Sequence, residues 1–251
     1  FVHGVMNTDN MAISGETLDY GPCAFLDEHH PDKHFSSIDH RGRYAFGNQP
    51  RVALWNLARL GEALLPLIAP DEADAARLAT AALERFPAAF EAAYLDVLRA
   101  KLGLSSQDDT EDRALADGLL ASMTEGQADH TLAFRALCDS AEDEANDAVT
   151  AALFARPDTF HTWARSWRAR LARESVAPGA RASSMRRANP AIIPRNHRVE
   201  QLIAAAVAGD LGPFEDLVAA TATPFEASEA YAHLEARPGP EERVLETFCG
   251  T

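Results

Sequence analysis

The chain has 251 residues, 47% of them hydrophobic, which allows a sizeable core in one large domain or two small ones. Its formal net charge of −15 argues against a general binder of nucleic acid or of anionic membranes, and no run approaches the roughly 18 apolar residues of a membrane span. Three widely spaced cysteines make neither a zinc pattern nor a disulfide framework, which points to a reducing, cytoplasmic compartment.

The first residues carry most of the chemistry. Phe1-Val2 is apolar and suits a buried strand or helix end, and Met6 to Asn10 is a short polar loop. Met11 to Ser14 reads as a short strand, Gly15-Glu16 as a turn, and Thr17-Leu18 as a returning strand that delivers Asp19. Such a β-hairpin would set Asp9, Asn10 and Asp19 side by side. Hard divalent cations take oxygen ligands of this kind, and Mg²⁺ uses one or two carboxylates together with substrate phosphates. The spacing also matches a kinase-type phosphotransfer site, where a His-Arg-Asp loop leads to a metal-binding Asn and a later Asp-Phe-Gly supplies another ligand. His3 and Asn10 have the same separation as that His and Asn, and Asp19-Tyr20-Gly21 resembles Asp-Phe-Gly. Val5, however, occupies the position of the catalytic Asp, and the nearest carboxylate is Asp9. Taken alone, an Asp-Asn pair is also a common turn or helix cap.

Residues 21–50 are punctuated by glycine and proline and read as loop. They hold His29, His30, His34 and His40, with His3 upstream, but no cysteine stands at ligand spacing, so zinc is disfavoured. In kinase terms the segment takes the place of the activation loop. From Arg51 the period becomes helical, with Val52, Leu54, Trp55, Leu57, Leu60, Leu64 and Leu67 on an apolar face and Pro66 expected to kink or stop it. Trp55 and Tyr94 are read as core residues. Asp71 should cap a long helix over 71–102 that Pro87 bends and Gly103 ends. Helices are predicted near 110–124, 126–140, 143–155 and 157–173. The acidic clusters at 108–112 and 142–144 read as solvated surface, and the arginines from Arg165 onward as partners for acidic helices rather than a nucleic-acid site. Residues 189–194, with Pro190 and Pro194, should be an extended link. Helices resume near 199–209 and 213–220, a last one opens at Pro224-Phe225, and 237–251 is a tail.

Several blocks carry a family resemblance. His-Gly-Val-Met-Asn-Thr-Asp-Asn-Met (3–11), Asp-Tyr-Gly-Pro (19–22), Asp-His-Arg-Gly-Arg-Tyr (39–44), Gln-Pro-Arg-Val-Ala-Leu-Trp-Asn-Leu-Ala-Arg-Leu (49–60), Asn-Pro-Ala-Ile-Ile-Pro-Arg-Asn-His (189–197) and the terminal Cys-Gly-Thr resemble the selenoprotein O family. The resemblance implies a kinase fold that transfers AMP from ATP to Ser, Thr or Tyr hydroxyls of proteins. It maps the proton acceptor onto Asp9 and the ligands of Mg²⁺ (or Mn²⁺) onto Asn10 and Asp19, with Asp19 reaching ATP through the metal. His3 has no settled role in it. Cys249 falls at the family's redox-active position, and its loop partner in some members corresponds here to Phe35, with Cys23 as a possible substitute.

The expectation is therefore a mainly α, C-terminal lobe of a protein-kinase-like fold, with a short β-hairpin near the N-terminus carrying the metal loop. Residues 1–50 would be catalytic loop and activation-type segment, and 51–251 the helical lobe. The chain opens within the expected site and shows no glycine-rich phosphate loop, so it reads as part of a longer enzyme whose N-terminal lobe lies elsewhere; alone it would be inactive. Expected partners are ATP and protein substrates, with no nucleic acid and no membrane. The alternatives are a kinase of the aminoglycoside-kinase type and a non-catalytic helical interaction module.

Overall fold

A computed structural model describes residues 1–17 and 20–248. The described residues divide into two compact units. Unit 1 takes residues 1–24 and 31–94 with the chain's last segment from Leu245, and unit 2 takes residues 25–30 and 95–244.

In unit 1 the expected fold is corrected: the described residues contain helices and isolated bridges but no strand, so the predicted hairpin is not seen among them, and Leu18 of its returning arm lies outside them. Val2 is fully buried and forms one antiparallel bridge with Ala24, while Gly15 donates its amide to Ala12 O at 3.1 Å in a tight turn. Ile13 is 93% exposed, so residues 11–14 bury no alternating face. A two-stranded ribbon without a packed face is marginal in water, which is why a turn forms instead. The mainly helical expectation holds.

Helix α1 (Gln49–Ile68) runs through Pro66 and ends two residues later. Asp71 caps α2 (Glu72–Leu83) by accepting from Asp74 N at 2.9 Å. The long helix expected over 71–102 is broken, not bent: α3 (Phe86–Leu102) starts anew. Pro87 has no N–H to reach back across the junction and keeps Phe86 from continuing the preceding helix. Gly103 does end α3, at φ +74°, where a Cβ would meet Met185 Sδ at 2.7 Å.

Unit 2 holds α4 (Asp109–Glu125), α5 (His130–Glu142), α6 (Asp147–Ala151), α7 (Pro157–Leu171), α8 (Pro178–Ala188), α9 (Asn196–Val207), α10 (Gly212–Ala222) and α11 (Ala232–Glu235). Asp108 and Asp129 cap α4 and α5 through backbone amides. Trp163 and Trp167 of α7 stack at 5.3 Å, and their indole N–H groups donate to Leu115 O and Leu102 O, so both rings are buried without orphaned donors. The sequence reading missed α8, whose buried face is only Arg181, Ala182 and Met185 and shows no apolar period. The last helix, expected to open at Pro224, starts later: one 3₁₀ turn over Glu229–Tyr231 leads into α11. The Pro224 carbonyl instead accepts from Ala191 N and Ile192 N of the extended link.

The arginines pair within the unit, as expected. Asp112 is fully buried and accepts from Arg99 Nε at 2.7 Å and Arg170 Nε at 2.9 Å. Burial alone would raise its pKa, but these bonds and the Asp108 amide hold it below the usual carboxylate value. Arg195, also buried, joins Asp129 at 2.8 Å and Asp27 at 2.5 Å. Asp112 thereby departs from the reading of 108–112 as wholly solvated surface. An acid in such a cluster is drawn inside when two guanidinium groups meet it there.

Candidate active site

The site is built on unit 1, from a backbone that only glycine could supply at its start. Gly4 has φ +90°, and a Cβ there would lie 2.3 Å from Pro22 O. This close approach turns Val5 and Met6 inward, where they pack with Tyr44 and Val52. The next residues emerge as one turn of 3₁₀ helix, Thr8–Asn10, closed by Asn10 N donating to Asn7 O at 3.0 Å.

Three neighbours fix that turn. Asn56 of α1, buried, donates from Nδ2 to Met6 O at 2.9 Å. Tyr44 donates its hydroxyl to Asn7 Oδ1 at 2.5 Å, and is itself placed by Asp39, whose carboxylate accepts from Arg43 N and Tyr44 N, each at 2.8 Å. His3 lies 3.1 Å from Asn10 O through Nε2; a carbonyl can only accept, so Nε2 carries the proton. The His3 amide donates to Gln49 Oε1, and Gln49 Nε2 donates to Phe1 O.

The braces leave Asp9 and Asn10 adjacent and exposed on one turn. Asn10 Nδ2 donates to Val5 O at 3.0 Å, which fixes the amide plane and leaves Oδ1 without a donor among the described residues. The Asp9 carboxylate has no ion pair among them either. An oriented amide oxygen beside a free carboxylate is a hard oxygen donor set, and it fits Mg²⁺ or Mn²⁺ better than a softer ion. Among the described residues no three His, Cys, Asp or Glu side chains converge as a ligand cluster. Asp19, the other expected ligand, lies outside the described residues, as does Cys249. Cys23 is half-buried with Sγ 3.1 Å from Tyr20 O, and Phe35 is buried.

The remaining histidines divide. His34 Nδ1 is 2.9 Å from Asp32 O in unit 1. In unit 2, His29 is buried with Nδ1 3.2 Å from His130 Nδ1, and burial with the adjacent His30 charge pushes its pKa down to about 4. Trp55 was expected in the core; it is 43% exposed, with the guanidinium groups of Arg43 and Arg59 over its ring at 4.9 and 5.5 Å. Sequence reasoning gave no role to Tyr44 or Asn56. Both stand in blocks that carry the family resemblance, but what they touch is set by contacts across 37 and 50 residues.

The protein-family model described as "Protein adenylyltransferase SelO" matches residues 1–222. The chain belongs to the SelO family. Among its relatives, a protein nucleotidyltransferase YdiU of Rhodopseudomonas palustris (strain HaA2) is 52% identical over 252 residues, covering 100% of this chain and 51% of the relative. One from Rhizobium etli is 50% identical over 252 residues, covering 100% of this chain and 50% of the relative. One from Bradyrhizobium sp. (strain ORS 278) is 52% identical over the same length, with 51% of the relative covered. The chain thus spans about half the length of the curated relatives it matches. Within this SelO chain, the matched region includes the whole braced turn and α1.

Proposed function

We propose that this chain, within a full-length SelO protein, forms the acceptor side of an adenylyltransferase that moves AMP from ATP to Ser, Thr or Tyr hydroxyls of proteins. The carrying observation is the exposed Asp9–Asn10 pair on a turn held by Asn56, Tyr44 and His3, in a chain of the SelO family. Asp9 takes the proton of the acceptor hydroxyl as its oxygen bonds to the α-phosphorus and pyrophosphate leaves. Asn10 Oδ1 and Asp19 would hold Mg²⁺ or Mn²⁺, which would neutralise phosphate charge. Asn10 keeps its oxygen oriented through the bond to Val5, and His3 and Asn56 keep the turn from shifting. Fixed placement of this kind supplies much of the rate in phosphoryl-type chemistry. Residues 1–50 serve as catalytic loop and activation-type segment, and 51–251 as the helical lobe of a kinase-like fold.

A nucleic-acid substrate fits poorly, because the net charge is −15 and the arginines of unit 2 are largely engaged by acids. No helix among the described residues is long and apolar enough to cross a membrane. We place the protein in the cytoplasm, on its sparse cysteines. The test is transfer to protein by the full-length protein with α-³²P- and γ-³²P-labelled ATP in parallel. Label from the α-phosphate alone is expected; label from the γ-phosphate alone would make the enzyme a kinase, and label from neither would leave a non-catalytic module.

A further inference from the structure

Beside the Asp9–Asn10 turn, unit 1 has a cavity of about 460 Å³. This lies within the roughly 300–1,000 Å³ range of small-ligand pockets. Two of its walls are Thr8 and Met11, the residues on either side of Asp9-Asn10, so it opens within one residue of the reacting pair. Ile13 and Trp55 face it from the 12–15 turn and from α1. Both are large apolar side chains kept substantially in solvent, Ile13 almost wholly. Asn56 at its wall has a buried Oδ1 with no partner among the described residues. The rim is basic at Trp55. Arg59 lies over the ring and is paired with Glu62 at 2.6 Å, whereas the exposed Arg43, on the same ring, has no carboxylate partner among the described residues. A guanidinium stacked on an exposed indole without a carboxylate partner suits an acidic group brought by another molecule.

We propose that this cavity is the acceptor-recognition pocket: it receives an apolar side chain of the protein substrate next to the hydroxyl-bearing residue, while Arg43 pairs with an acidic residue of the same segment. The proposal rests on Asp9 and Asn10 being the reacting pair, and it adds the class of acceptor sequence. The position of the cavity carries it, since Thr8 and Met11, the immediate neighbours of Asp9-Asn10, line its wall. The apolar lining favours a Leu, Ile, Met or Phe side chain, and the neighbouring guanidinium favours Asp or Glu beyond it.

The test uses the full-length protein and a positional-scanning peptide library with Ser, Thr or Tyr at the centre, labelled from α-³²P- and γ-³²P-ATP in parallel. The expected result is selection of a large apolar residue at one position close to the centre and of an acid at another. Ile13→Ser and Trp55→Ala should each raise the acceptor KM by about tenfold, the usual order for losing an apolar pocket contact, and leave the KM for ATP unchanged. Arg43→Glu should abolish the acidic preference alone. Ile13 is almost fully exposed, so its variant folds even if Trp55→Ala does not. A library with no positional preference, or preferences that persist in Ile13→Ser, overturns the pocket. So does a Trp55→Ala protein that loses melting temperature with its acceptor KM intact, which would mean that the rest of the full-length chain covers the cavity. Transfer from the γ-phosphate with the same preferences would overturn AMP transfer and leave the pocket standing; no transfer of either label overturns both.

Discussion

Asp112→Ala should strongly destabilise unit 2. The carboxylate is fully buried and accepts from two guanidinium groups, Arg99 and Arg170, themselves nearly buried, as well as from Asp108 N at 3.1 Å. Removing one partner of a buried ion pair costs about 3–5 kcal/mol, because the other charge is left uncompensated. Compensation here is partial. Arg99 keeps Asp96 at 3.0 Å and Asp109 at 2.6 Å, both largely exposed, and Arg170 keeps Glu174 at 2.6 Å and Ser106 O at 2.6 Å. The loss should therefore fall near the lower end, about 3 kcal/mol. At about 2–4 °C per kcal/mol for a body of this size, melting drops by about 6–12 °C. The control is Asp109→Ala, whose side chain is 84% exposed and whose pairing should be worth under about 1 kcal/mol. Urea unfolding followed by circular dichroism and by fluorescence of the buried Trp163–Trp167 pair measures both. If Asp112→Ala loses no more stability than Asp109→Ala, the buried network is not what holds α3, α4 and α7 together, and the argument fails.

Asn56→Ala should slow AMP transfer by the full-length protein more than it weakens acceptor binding, because it frees Met6 O and lets the Asp9–Asn10 turn drift; unchanged turnover would remove α1 from the positioning scheme. Asp9→Asn should lower turnover by about 10²–10⁴ while ATP affinity and melting temperature persist, and a joint collapse of stability and nucleotide binding would instead make Asp9 a structural cap. Acid should destabilise unit 2 in two stages. His29, held down to about 4 by burial and His30, contributes stability above pH 6.5 that is lost as pH falls from there toward 4. Glu174 is raised by burial but lowered more by bonds from Ser105, Ser106 and Arg170, to about 2, so its contribution is lost between pH 4.5 and 2. Urea midpoints at stepped pH check both, and His29→Gln should weaken only the upper stage, to which His130, also pushed down by burial, still contributes.

The sequence by itself determined the helical body and marked the short turn near its start as the candidate site. Asp71 announced its cap, Gly103 its helix end, and the two prolines of 189–194 their extended link, because each depends on local backbone sterics that a residue carries with it. Asp9 and Asn10 were legible for the same reason: their types and spacing are contiguous in the chain. Tertiary structure decided the rest. The residues 11–17 have strand-like composition, but a strand needs a partner and a covered face, and neither forms there. Asp112 and Asp109 look alike in sequence, and only the arrival of Arg99 and Arg170 buries one and leaves the other in solvent. Trp55 has the period of a core residue, yet the face it stands on opens to a cavity. The grip of Tyr44 and Asn56 on the Asp9–Asn10 turn belongs to the same class, since hydrogen bonds between distant residues exist only once the packing has brought them within 3 Å.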